Sequence, residues 1–158
     1  MKDYKRLLEV NKPARYINGE INSFHKDHEG RSSFCLIFPD IYEVGISHIG
    51  FKMLYERLNR ADEVVCERFF MPWVDAIDKF GSEMFTSLES NTSLKDFDIL
   101  GFSIQYELAY TNILHTLKYS DIPLRSLNRG EDDPIIISGG PCTVNPMPIA
   151  PFVDVFFV

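Results

Sequence analysis

The sequence predicts an α/β domain built on an open, mostly parallel sheet with helices on both faces. Three observations carry this prediction. Continuous apolar runs at residues 33–38, 98–104 and 135–138 have the length and composition of strands covered on both sides. Segments of helical spacing lie between them, and such alternation is the pattern of right-handed βαβ crossovers. The chain has 158 residues, 45% of them apolar and 13% aromatic. A chain of that size buries about two-thirds of the surface that its unfolded form exposes, enough for one core.

Residues 1–31 are polar, are broken by Pro13, Gly19 and Gly30, and lack a sustained period of either kind. They read as an arm with one short helix, set apart from an α/β domain over residues 32–158. The first strand, 33–38, closes at Pro39-Asp40. The loop 39–50 then feeds a helix of about ten residues, with Ile49, Met53, Leu54 and Leu58 on its apolar side and Ser47 as its N-cap. A strand at 63–69, a short helix at 73–80 and a weaker strand at 84–88 follow. The run 98–104 is the next strand, and 107–120 is the next helix. An apolar segment at 122–127, a polar turn through 128–134, the strand 135–138 and a Gly-Gly-Pro loop lead to a last apolar run, 153–158. That run stops without a turn residue or polar cap, which predicts truncation ahead of a further domain.

Composition removes several function classes. A formal charge of −7 argues against a general nucleic-acid surface, since phosphate binding needs clustered Lys and Arg. The basic residues Lys2, Lys5, Arg6, Lys12 and Arg15 read as a solvated or docking arm. No stretch reaches the length of about 18 apolar residues that spans a bilayer, and the N-terminus has no signal-peptide centre. A cytoplasmic protein without a membrane partner is expected. Cys35, Cys66 and Cys142 are odd in number and widely spaced, against both disulfides and a self-contained zinc or iron–sulfur site. His25 and His28, next to Gly30, read as a surface turn rather than a metal site.

Ligands of open α/β sheets sit beyond the carboxyl ends of the strands. The loops 39–50, 105–110 and 139–145 are therefore the candidate site. In the first, Asp40, Glu43 and His48 are either acid–base groups or helix caps. In the third, Gly139-Gly140 either admits a flat or phosphate-bearing ligand to the main chain or makes a tight turn. Cys142 in the same loop reads as inert, and Trp73, Tyr106 and Tyr110 as core or rim packing. The G-x-x-x-x-G-K-[ST] and G-x-G-x-x-G patterns are missing. A free-standing hydrolase or transferase would need Asp40, Glu43 and His48 to converge. A flavin module ranks last, because no Ser/Thr-rich loop follows the first strand.

Five blocks carry a resemblance: Ala14-Arg-Tyr-Ile-Asn-Gly-Glu20, the loop from Pro39 to Gly50, Pro72-Trp-Val-Asp75, the stretch from Phe97 to Glu107, and Asp133-Pro-Ile-Ile-Ile-Ser-Gly-Gly-Pro141. From about Lys12 onward the chain resembles the N-terminal part of B12-binding-domain radical-SAM proteins, often labelled Fe–S oxidoreductases. The resemblance implies a Rossmann- or flavodoxin-like, cobalamin-binding-domain-like fold. Well-formed cobalamin-binding domains show D-x-H-x-x-G, then S-x-L, then G-G, with the histidine on cobalt. Here Asp40, Tyr42 and Gly45 match the first element, Ser103 and Gln105 the second, and Gly139 and Gly140 the third. These seven are the implied cofactor-binding residues. Tyr42 stands in place of the histidine and Gln105 in place of the leucine, and a phenol of pKa about 10 is a poor cobalt ligand. Lower-face histidine ligation is not available from this position, so cobalamin is held without it or not at all. The family's chemistry also needs a C-x-x-x-C-x-x-C triplet for a [4Fe–4S] cluster that binds S-adenosylmethionine, and these residues hold no such triplet. The resemblance thus implies an accessory domain, a degenerate cobalamin-binding or docking module without catalytic activity of its own. Its partner would be a radical-SAM core of the same polypeptide beyond Val158, and Phe156-Phe157 would favour pairing with that core or with a second copy.

Overall fold

A computed structural model describes residues 4–158. Five strands form one sheet: β1 Ser32–Phe38, β2 Val64–Phe70, β3 Ile99–Ser103, β4 Ile135–Gly139 and β5 Val155–Phe156. Their order is β2-β1-β3-β4-β5 and every neighbouring pair is parallel. This is the flavodoxin-like order, whose strand sequence reverses between β1 and β3. The helices are α1 Tyr4–Leu7, α2 Tyr42–Ser47, α3 Ile49–Asn59, α4 Val74–Phe80 and α5 Tyr110–Tyr119. Among the described residues, no helix is long and apolar enough to cross a membrane.

Alternation along β1 sets the two layers. Cys35 and Ile37 share one face with Leu100, Phe102 and Ile136, and there they pack with Ala76 of α4 and with Ile113 and Leu117 of α5. Leu36 and Phe38 face the other way, with Cys66 and Phe70, against Phe51 and Tyr55 of α3. Leu7, Val10 and Tyr16 of the arm are buried in the first of these clusters.

The structure corrects four local expectations. The loop 39–50 contains a helix, α2, seated where Gly45 meets the Phe70 ring. α3 buries Phe51, Tyr55 and Asn59, while Ile49, Met53 and Leu54 are exposed. The helix carries two apolar stripes, and the aromatic one wins because its rings bury more area. Ser47 ends α2, and its hydroxyl donates to the Glu43 carbonyl; His48 caps α3, its Nδ1 accepting from Phe51 N at 3.2 Å. Residues 84–88 form no strand and contribute only an isolated bridge, Thr86 with Ser93.

The reason for that last departure lies at the outer edge of β2, where side chains take the place of a neighbouring strand. Lys26 Nζ donates to the Val64 carbonyl at 2.9 Å. The Asn59 amide acts as a substitute peptide for Cys66, accepting from its N–H at 3.1 Å and donating to its carbonyl at 2.9 Å. At Arg68 the carbonyl accepts from Leu88 N at 2.7 Å, but the N–H donates to the Glu89 carboxylate, also at 2.7 Å. The chain therefore makes one ladder bond to β2 and then continues through a side chain. The Arg68 guanidinium donates to Glu89 at 2.7 Å and to Glu20 at 2.6 Å, with the Tyr55 ring 4.3 Å away. The Arg68 and Glu89 side chains are only 3% and 1% exposed. Burial alone would lower the Arg68 pKa, but the two carboxylates raise it above the usual value.

Removing one member of such a pair strands the other charge. Arg68→Met should cost about 3–5 kcal/mol, and adding Glu89→Gln, which removes the stranded charge but keeps an oxygen for the Arg68 N–H, should restore most of it. Urea unfolding of both variants checks this. Equal losses in the single and the double variant would assign the effect to packing.

Candidate functional site

The carboxyl ends of β1 and β3 meet at the switch point. Asp40, just past β1, is bonded on every side. Its N–H donates to the Phe38 carbonyl at 2.8 Å, and its own carbonyl accepts from Met71 N at 2.8 Å, tying in the exit of β2. Its Oδ1 accepts from Ile41 N at 2.6 Å, and its Oδ2 accepts from the Tyr106 hydroxyl. Asn112 of α5 adds a bond to the Pro39 carbonyl at 2.9 Å. Tyr106 thus bridges the loops that leave β1 and β3, across the crevice where this fold places ligands.

Ser103 and Gly139 are register partners at the tips of β3 and β4. The Ser103 hydroxyl accepts from Gln105 Nε2 at 3.0 Å. Ile104 N donates to the Gly139 carbonyl at 2.8 Å. Gly140 has φ 109°, and a Cβ there would lie 2.5 Å from the Ile104 carbonyl oxygen. Its glycine is explained by the close approach of the chain to itself. At Gly139 a Cβ would meet nothing nearer than Phe157 Cβ at 3.8 Å, so sterics do not demand glycine there. Gly45 is demanded by packing, since a Cβ would fall 2.5 Å from the Phe70 ring and 2.9 Å from Phe38 Cβ. Tyr42 stands edge-on to Phe70, with 5.3 Å between ring centroids, and donates to Glu20 Oε1 at 2.8 Å. Burial, together with the Glu20 carboxylate, pushes its pKa up to about 12.

The seven implied residues therefore fall into three places. Ser103, Gln105, Gly139 and Gly140 cluster over β3 and β4, Asp40 joins Tyr106 at the switch point, and Tyr42 and Gly45 pack beside Phe70 of β2. Glu43 is bonded elsewhere, accepting from Lys12 at 3.0 Å and from Arg15 at 3.0 and 2.9 Å. Among the described residues no hydrogen bond joins any two of Asp40, Glu43 and His48, so they form no acid–base pair. No group of three His, Cys, Asp or Glu that could hold a metal occurs among the described residues. Cys35 and Cys66 are buried with their thiol pKa values pushed up by burial, and burial raises Cys142 as well.

Sequence reasoning missed the bonding roles of Tyr106, Arg15, Glu20 and Arg68. Two of the resemblance blocks held a signal for one of these contacts, because they meet in space. Tyr16 Oη accepts from Trp73 N at 3.1 Å, and the Arg15 guanidinium lies 5.3 Å from the Trp73 ring.

The profile of the family described as radical SAM proteins, N-terminal, matches residues 50–158. The matched stretch includes Ser103, Gln105, Gly139 and Gly140, while Asp40, Tyr42 and Gly45 precede it. An uncharacterized protein of Methanocaldococcus jannaschii, MJ0966, is 27% identical over 125 residues, which are 78% of this chain and 23% of that protein. The chain spans less than a quarter of the length of this relative.

The arm's grip on α2 has a definite pH window. Burial by itself would raise the Glu43 carboxyl, but the hydrogen bonds from Arg15 and Lys12 outweigh it and hold the pKa at about 2. A carboxyl depressed in the folded state contributes stability in full above its unfolded value and loses it as pH falls toward the folded one. Glu43→Gln should therefore flatten part of the stability loss between the model-peptide value of 4.5 and about 2. Denaturant midpoints measured across that range check it, and parallel curves for the two proteins would refute it.

Proposed function

Because the chain belongs to the N-terminal family of radical SAM proteins, we propose that it is an accessory domain of a longer radical SAM enzyme, inert alone, whose cobalamin-type site has turned to docking. The observation that carries the docking half of this reading is the bridge from Tyr106 to Asp40 across the switch point. A crevice closed by the chain's own side chains gives those loops a fixed outline, which suits a surface that another domain recognises.

The donor set does not match the implied metal-bearing cofactors. Cobalt ligation from the lower face does not fit, because the Tyr42 hydroxyl is engaged with Glu20 and strongly disfavours ionisation. A [4Fe–4S] cluster does not fit either. It requires convergent thiolates, whereas Cys35 and Cys66 are buried in the sheet and Cys142 lies in the loop after β4. Binding of S-adenosylmethionine at an open iron is accordingly assigned to the core of the longer polypeptide. Docking against that core is the role left for this chain.

The purified 158-residue chain should be colourless, should leave S-adenosylmethionine uncleaved under reducing conditions, and should not co-elute with hydroxocobalamin or methylcobalamin on gel filtration. Iron–sulfur absorbance or cleavage would overturn the inert role. Cobalamin retained at micromolar affinity would show the Ser103 and Gly139 loops to be a working pocket and would overturn the docking reading.

A further inference from the structure

Parallel pairing leaves alternate residues of an edge strand with both main-chain groups turned away from the sheet. In β2 these are Val64, Cys66, Arg68 and Phe70, and the first three are met in turn by the protein's own groups. Val64 N donates to the Ala61 carbonyl at 3.4 Å, and the Val64 carbonyl accepts from Lys26 Nζ. Cys66 is paired twice with the Asn59 amide, and Arg68 with the Glu89 carboxylate and Leu88 N. Phe70 is the fourth rung. Among the described residues, no group outside the sheet bonds its N–H or its carbonyl on that side. Phe70 is buried, and buried main-chain groups of native proteins are nearly always paired.

A small cavity lies against this rung. Phe69, Phe70 and Leu88 form much of its apolar lining, while Arg15 and Tyr16 of the arm and Thr86 of the loop after α4 bring polar atoms to it. The Tyr16 hydroxyl already accepts from Trp73 N. Arg15 Nη1 and Thr86 Oγ1, by contrast, are both buried without a protein partner. The Arg15 side chain is 9% exposed, and its Nε and Nη2 are committed to Glu43. The cavity has a volume of about 10 Å³, close to the least that holds one water.

We infer that this cavity is a binding site for a single water molecule, which completes the last rung of β2 and ties the arm to residue 86. The groups around it decide the ligand. Arg15 Nη1 and the Phe70 N–H can only donate, the Phe70 carbonyl can only accept, and the Thr86 hydroxyl does either. An anion would satisfy the donors and leave the carbonyl bare. A metal cation would meet the guanidinium as a like charge. Water accepts from Arg15 and from the Phe70 N–H, and has two protons for Thr86 and the Phe70 carbonyl, within the two to four bonds that buried waters make. Arg15 then holds the arm at two points, at α2 through Glu43 and at β2 through the water. The edge strand is left with no unpaired rung at its carboxyl end, where an unpaired one invites another strand.

Crystallography and amide exchange on the 158-residue chain test this. A crystal structure that shows ordered water should hold one density peak within hydrogen-bond distance of Arg15 Nη1, Thr86 Oγ1 and Phe70 N. In solution the Phe70 amide should show an NOE to a long-lived water and exchange slowly with deuterium. Thr86→Val keeps the shape of the side chain but removes one partner of the water. In that variant the peak and the NOE should be lost and Phe70 exchange should quicken roughly tenfold or more, while the Cys66 amide, held by Asn59, should be unchanged. Thr86→Ser keeps the hydroxyl and should keep all three signals, which separates loss of the water from disturbance of the loop. A cavity without density in the parent protein would overturn the inference, as would a peak with the anomalous signal of chloride or a direct bond from Thr86 or Arg15 to the Phe70 main chain. Phe70 exchange at the same rate in Thr86→Val as in the parent would overturn it too.

Discussion

Burial of one positive charge organises much of this molecule. Arg68 lies in the edge strand of the sheet, and a guanidinium in that position is tolerable only if carboxylates surround it. Glu89 supplies one, which holds residues 84–92 flat against β2. Glu20 supplies the other, which pulls the arm across the same edge. Glu20 also takes the Tyr42 hydroxyl, so the start of α2, and with it the first loop of the carboxyl end, is referenced to the same charge. The arm, a connecting loop and part of the candidate site are positioned by one hydrogen-bonded group.

The parts of the fold that were legible are the inner strands of the sheet. β1, β3 and β4 lie inside the sheet, and apolar residues facing both layers give runs that announce strands. β2 was found despite Glu67 and Arg68 because Val64, Val65, Phe69 and Phe70 frame them. α2 was missed since six residues containing Gly45 have little helical tendency of their own; what holds the helix is the fit of that glycine against Phe70. The buried side of α3 was misassigned because choosing between two apolar stripes depends on the opposing sheet, which a local pattern does not contain.

The site was legible as a set of loops and illegible as a set of roles. The resemblance pointed to loops at the carboxyl end of the sheet, and the structure gathers Ser103, Gln105, Gly139 and Gly140 there. Yet a glycine needed for a ligand and a glycine needed for the chain's own main chain look alike in sequence, and Gly140 proved to be the second kind. The partner of Asp40 lies 66 residues away, beyond the reach of any spacing argument. Tyr42, singled out by the resemblance, is a strut between α2 and the arm.

The strand order has a further consequence, for synthesis. After β1 and β2 pair through α3, each later strand adds to one advancing side of the sheet, β3 to β1, β4 to β3 and β5 to β4. No strand has to wait for one that emerges later from the ribosome. The sheet can accrete in the order of translation, so the chain exposes only one growing edge at a time, which limits the window in which a nascent strand can pair wrongly with a neighbour.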